Sequence, residues 1–158
     1  MGAEVIEVEA RLAGLGLQWP ELPRPVASYV PAVRSGPWLV VSGQLPFREG
    51  KLVSCGPVPG VASLELAQSA AAACALNALA VLRAEIGGDW SRFVRVVRLG
   101  VYVASEPEFT AQPRVANGAS DFFVRIFGEA GKHARSAVGV TGLPLGATVE
   151  VEAIFEIR

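Results

Sequence analysis

A chain of 158 residues that is 51% hydrophobic and 18% charged has single-domain length and enough apolar side chains to fill a core. Its net charge of −1 argues against the phosphate-neutralising surface on which nucleic-acid binders depend. Two cysteines, Cys55 and Cys74, and a single histidine, His133, are too few for a four-ligand structural zinc site, so reduced thiols and no metal or cofactor are expected.

In chain order, Val5–Leu15 sets Val5, Val8, Leu12 and Leu15 at helical spacing with Gly14 and Gly16 behind them, which predicts a short amphipathic helix. Pro20, Pro23 and Pro25 favour extended chain after it, so residues 1–24 read as a helical and Pro-rich extension of one domain spanning 1–158. Tyr29–Val33 and Trp38–Ser42 read as strands about a turn at Arg34-Ser35-Gly36-Pro37. A turn-rich stretch from Glu49-Gly50 to Pro59-Gly60 follows.

Ser63–Ile86 is the clearest helix, with Ser63 as N-cap, Glu65 in the first turn and Gly87-Gly88 as the stop. Cys74 lies on it and is expected to be buried. The apolar stretch around Ala70–Ala75 is interrupted by Gln68, Ser69 and Asn77 and is expected to be too short for a bilayer. The acidic start of the chain (Glu4, Glu7, Glu9) lacks a leader pattern, so the expected location is cytoplasmic.

Arg92–Val103 reads as a long Val-rich strand, with Arg92, Arg95 and Arg98 on a solvated or interface face. A second helical region runs from Pro107 to Phe127 and ends at Gly128 and Gly131. Ala134–Val140 and Thr148–Ile157 read as the last two strands. The order β-β-α-β-α-β-β predicts an α+β layer fold, with two main helices packed on one face of a sheet.

Arg135 lies on one of the last strands and Glu150 on the other. If the two strands pair, these groups face each other across the ladder, and the same spacing fits an ordinary cross-strand ion pair. Glu150, Glu152 and Glu156 share one face by their period of two, as a carboxylate stripe. Ser42 lacks a G-x-S-x-G setting and reads as a turn serine. Asn117 and Asp121, at i and i+4, read as a local helix pair. His133 adjoins Arg135 in sequence, which gives it an expected modulating role.

Three segments carry a resemblance. Trp38-Leu39-Val40-Val41-Ser42-Gly43-Gln44-Leu45-Pro46 is similar to the strand ending in SGQ-x-P of the Rid (YjgF) family. Ala75–Leu82 resembles that family's N-x-x-A-V-L helix. Arg135–Val140, then Leu143-Pro144 and Val149–Ile154, resemble its RS-x-V-x-V…LP…VE-x-EA-I signature. The likeness spans the chain from Pro25 to Arg158.

It implies a chorismate-mutase-like fold with a mixed sheet, and a homotrimer with a cleft at each subunit interface. It also implies cofactor-free hydrolysis of reactive enamines or 2-imino acids, such as 2-aminoacrylate, to 2-keto acids and ammonia. By the same resemblance Arg135 grips the substrate carboxylate, Glu150 positions water and Tyr29 lines the cleft. Backbone groups at Ala137 hold the imine nitrogen, and Ser42, Gly43 and Asn117 lie nearby. Three positions depart from the family pattern: Ala27-Ser28 replace Gly-Pro, His133 replaces a proline and Ala137 replaces a cysteine. Two alternatives stand beside the deaminase: a trimer that binds a small carboxylate metabolite without turnover, and the endoribonuclease activity ascribed to some relatives.

Overall fold

The computed structural model describes residues 7–22 and 27–158. Helix α1 is Val8–Gly14, and strands β1 (Ala32–Ser35) and β2 (Trp38–Gln44) form the first hairpin. A short hairpin, β3 (Phe47–Arg48) and β4 (Lys51–Leu52), precedes the long helix α2 (Leu64–Glu85). Then come β5 (Phe93–Ala104), α3 (Gln112–Phe127), β6 (Ala134–Val140) and β7 (Val149–Ile157). The start of the predicted first helix, together with Pro23 and Pro25, lies outside the described residues.

Alternation along β7 organises the sheet. Val149, Val151, Ala153, Phe155 and Ile157 are buried, whereas Glu150, Glu152, Ile154 and Glu156 between them are only half-buried. β7 is the middle of five strands in the order β1-β2-β7-β5-β6. It pairs antiparallel with β2 and with β5, and β6 lies parallel to β5 at the edge. The parallel pair follows from the connection, because a helix, α3, carries the chain from β5 to β6.

Both main helices cover the face to which Phe155, Leu99 and Val101 point. Ser63 caps α2 as expected, its Oγ accepting from the Leu66 N–H at 3.1 Å. Alanines keep α2 thin, and α3 approaches it so closely that a Cβ on Gly118 would collide with the Gln68 carbonyl oxygen. The stretch expected to be too short for a bilayer belongs to this 22-residue helix, which has the length and hydropathy to cross one. It is a core helix here, with 67% of its most apolar stretch buried against the sheet and α3.

Three other expectations are corrected. The second helix begins at Gln112, with Pro113 in its first turn, and Phe109 N–H closes a separate turn onto Glu106. The turn-rich stretch contains a hairpin, β3–β4, whose corner residues Glu49 and Gly50 both take positive φ. Ser42 does not form a turn: it lies within β2, which runs on to Gln44 past a register shift. Asn77, on the motif helix, ties the small hairpin down by donating from Nδ2 to the Leu45 and Phe47 carbonyls at 2.9 and 3.1 Å.

The leading helix is packed onto the body of the chain. Val8 and Leu12 are buried in the main core, and Arg11 Nη1 donates to the Ile126 carbonyl at 2.8 Å. The Glu9 carboxylate accepts from the Trp19 and Trp90 indoles and from Arg83, while Trp19 stacks on Trp90 beneath the Arg83 guanidinium. Leu12→Ala is expected to cost about 2–4 kcal/mol through the cavity it leaves. Chemical denaturation measures this; an unchanged midpoint would mean that the helix is only loosely apposed.

Candidate functional site

Strand order separates the two residues that the sequence analysis placed face to face. β5 lies between β6 and β7, so Arg135 stands opposite Leu99 and Glu150 stands opposite Tyr102. They also leave the sheet on opposite sides. Leu99 is buried under the helices, and Arg135 shares its side, where it reaches Asn117 and Ser120 of α3. Glu150 lies on the face that no helix among the described residues covers. Arg135 and Glu150 are therefore not on adjacent strands, and within one chain they do not form a common site.

On the helix side, Arg135 Nη1 donates to Asn117 Oδ1 at 2.9 Å and to Ser120 Oγ at 3.0 Å. Asn117 is thus a partner of Arg135, where an Asn117–Asp121 pair was expected. Among the described residues no protein acceptor takes a hydrogen from Arg135 Nε or Nη2, so one two-nitrogen edge of the guanidinium remains available. His133 bonds Ser120 through Nε2 at 2.9 Å and the Gly131 carbonyl through Nδ1 at 2.6 Å. Burial lowers the His133 pKa below 6.5; the Gly131 bond opposes this shift and the Arg135 charge adds to it. Ala137 is partly buried with its side chain against the core, on a strand that pairs on one side only.

On the uncovered face, the Glu150 carboxylate lies directly over Gly43, where a Cβ would collide with its Oε1. Glycine at position 43 is thus what allows Glu150 to sit there. Ser42 Oγ donates to the Val30 carbonyl at 2.7 Å, next to the exposed Tyr29 in sequence. Glu152 accepts from Arg98 at 3.2 Å and from the Tyr102 hydroxyl at 3.0 Å, whereas Glu150 has no ion-pair partner among the described residues. Burial, and then the charge of Glu152, push the Glu150 carboxyl above 4.5.

A cleft of about 1170 Å³ adjoins this cluster. Trp19 and Leu22 of the leading segment, Tyr29, Gly43, the β3–β4 hairpin and Leu76 of α2 bound it. Cys74 is fully buried, and burial raises its thiol pKa, so it is no nucleophile; Cys55 is exposed. Among the described residues no three His, Cys, Asp or Glu side chains converge on a metal position.

Sequence reasoning missed Ser120, Tyr102 and the Arg98–Glu152 pair. Ser120 had a usable signal, since it follows Asn117 by three residues and so shares its helix face. Tyr102 had none until the β5–β7 register was known.

The chain and its fold have known counterparts. Residues 9–157 match the family described as "YjgF/chorismate_mutase-like, putative endoribonuclease", and the chain belongs to that family. It is 46% identical to Protein TCP17 of Trypanosoma cruzi, over 96% of this chain and 94% of that one. The structure of Atu1372 from Agrobacterium tumefaciens, of unknown function, superposes with a TM-score of 0.90 at 46% identity, covering 96% of this chain and 92% of that one. A 2-iminobutanoate/2-iminopropanoate deaminase of Dermatophagoides farinae is 27% identical over 88% of this chain and 93% of its own.

The raised Glu150 pKa has a consequence for stability. The folded chain holds this proton more tightly than the unfolded chain does. Stability is therefore gained as pH falls through the folded-state value toward 4.5, and lost as pH rises. Glu150→Gln removes both the desolvation cost and the repulsion from Glu152. The variant is expected to melt no lower than the parent at neutral pH and to show a flatter acid dependence. A lower melting temperature would mean that Glu150 is a structural ion-pair member.

Proposed function

We propose that the protein hydrolyses small 2-imino acids and their enamine tautomers, such as 2-aminoacrylate, to 2-keto acids and ammonia, at a site shared by two copies within a homotrimer. The observation that carries this reading is the presence, on opposite faces of one sheet, of an available guanidinium edge at Arg135 and a half-buried carboxylate at Glu150 that has no ion-pair partner among the described residues. Two such groups meet only if a neighbouring copy supplies one of them. The uncovered sheet face supports association, because Val33, Trp38 and Val40 are exposed on it in a row. The similarity to an imine deaminase supports the choice of reaction.

In this reading the Nε–Nη2 edge of Arg135 takes the substrate carboxylate in two charge-assisted bonds. Glu150, its pKa shifted toward neutrality, accepts a proton from water as the oxygen adds to the C=N carbon. Glu150 returns that proton to the imine nitrogen to give a neutral carbinolamine; the hydroxyl proton then passes to the nitrogen as C=O forms and the C–N bond breaks, releasing ammonia. Backbone groups at Ala137 on the edge strand receive the imine nitrogen, and Tyr29, Ser42 and Gly43 line the approach. No metal or redox step is called for, because the carbon of C=N is already electrophilic.

Arg135→Ala is expected to lose about 2–4 kcal/mol of transition-state stabilisation, and Arg135→Lys most of that, since the charge remains without the fork. Glu150→Gln is expected to lower kcat more than it raises KM. The measurement is ammonia release from imines generated in situ by an amino acid oxidase. Carboxylate binding without any ammonia release would favour the binding-trimer alternative.

Mixing tests the shared site. Light scattering is expected to show three chains per particle. Arg135→Ala and Glu150→Gln proteins, each impaired alone, are expected to regain activity when unfolded and refolded together, with about a quarter of the interfaces carrying both native groups. Failure of mixed trimers to recover would remove the shared site.

A further inference from the structure

With the His133 ring neutral, the side chains beside Arg135 form a chain in which each proton direction is fixed. The Gly131 carbonyl can only accept, so His133 Nδ1 carries the hydrogen of their 2.6 Å contact. The Nε2 atom of the neutral ring is then a lone pair, and the Ser120 hydroxyl at 2.9 Å must donate to it. With its own proton committed, Ser120 Oγ faces Arg135 as an acceptor and takes one Nη1 hydrogen at 3.0 Å. Asn117 Oδ1 takes the other at 2.9 Å. Asn117 and Ser120 are neighbours on one face of α3, so they hold both hydrogens of a single terminal nitrogen. A planar guanidinium bracketed in this way cannot swivel, and its Nε–Nη2 edge is turned away from the bracket.

We propose that Ser120 and His133 are positioning residues for Arg135, fixing its guanidinium so that the Nε–Nη2 edge is presented to a carboxylate. This rests on the reading of Arg135 as the carboxylate anchor. His133 acts through Ser120 alone: without the imidazole lone pair, the hydroxyl turns its proton freely and can meet Arg135 as donor against donor. Partial burial, with the adjacent guanidinium, lowers the ring's pKa and so favours the neutral form that this direction requires. The histidine thereby gains a definite task at a position where the resembled family carries a proline that cannot perform it.

The test uses the full chain and pyruvate, a stable 2-oxo acid, as the probe in calorimetric titration. Ser120→Ala and His133→Ala are each expected to weaken pyruvate binding about tenfold, the loss of one bond to a charged group. The double variant is expected to be no weaker than the weaker single variant, because both act through one contact. Ser120→Thr keeps the hydroxyl and is expected to restore binding. Nitrogen-15 shifts of His133 in the unsubstituted protein are expected to show a protonated Nδ1 and an unprotonated Nε2. The reverse tautomer, additive losses in the double variant, or unchanged affinity in both single variants while Arg135→Ala abolishes binding would each overturn the positioning role and leave Arg135 as anchor. Unchanged affinity in Arg135→Ala, or no pyruvate binding by the unsubstituted protein, would overturn the anchor reading and this inference together.

Discussion

Two helices can cover only one side of a five-stranded sheet, and that asymmetry governs this molecule. The buried row of β7 and the inward row of β5 are satisfied by α2 and α3. The other face is left with alternating acidic, aromatic and branched side chains that no helix among the described residues covers. Every candidate site residue takes its place from this division. Arg135 belongs to the covered side by virtue of its register with Leu99, and Glu150 to the bare side by its register with Tyr102. The proposed chemistry and the proposed assembly are consequences of the same geometry.

The bare face also distributes its charges unequally. Arg98 and the Tyr102 hydroxyl both engage Glu152, which leaves Glu150 beside a like charge and over a glycine, with no cation partner among the described residues. A residue kept for stability alone would be better served by the neutral amide. On the covered side the arrangement is the opposite: Arg135 is bracketed on one nitrogen and open on the other edge. One group is restrained and the other is destabilised, as is common where folding has left binding free energy to be recovered from a ligand.

Much of the fold was legible from local signals. Period-two burial marked β7, the Ser63 cap and Gly87-Gly88 bounded α2, and Ala134–Val140 was read without error as a strand. The motif segments were enough to identify the family. What could not be read was non-local. Nothing in the residues of β6 and β7 says that β5 inserts between them, so the inference from neighbouring strands to a facing pair failed for Arg135 and Glu150. Asn117 was assigned a partner on its own helix because helical spacing is visible in a sequence and the approach of a strand is not. The β3–β4 hairpin escaped because its two-residue strands are too short to show alternation.

The three tryptophans divide between two structural events. Trp19 and Trp90 stack where the leading segment is latched by Glu9, and Trp90 is nearly buried. Trp38 stands apart on the bare sheet face, half-open to solvent. The chain therefore carries two native fluorophore environments: a coupled indole pair that reports whether the N-terminal latch is closed, and a single indole whose emission colour reports whether the sheet face is wet or covered. Phenylalanine at Trp38 or at Trp19 would silence one channel and leave the other to be followed alone.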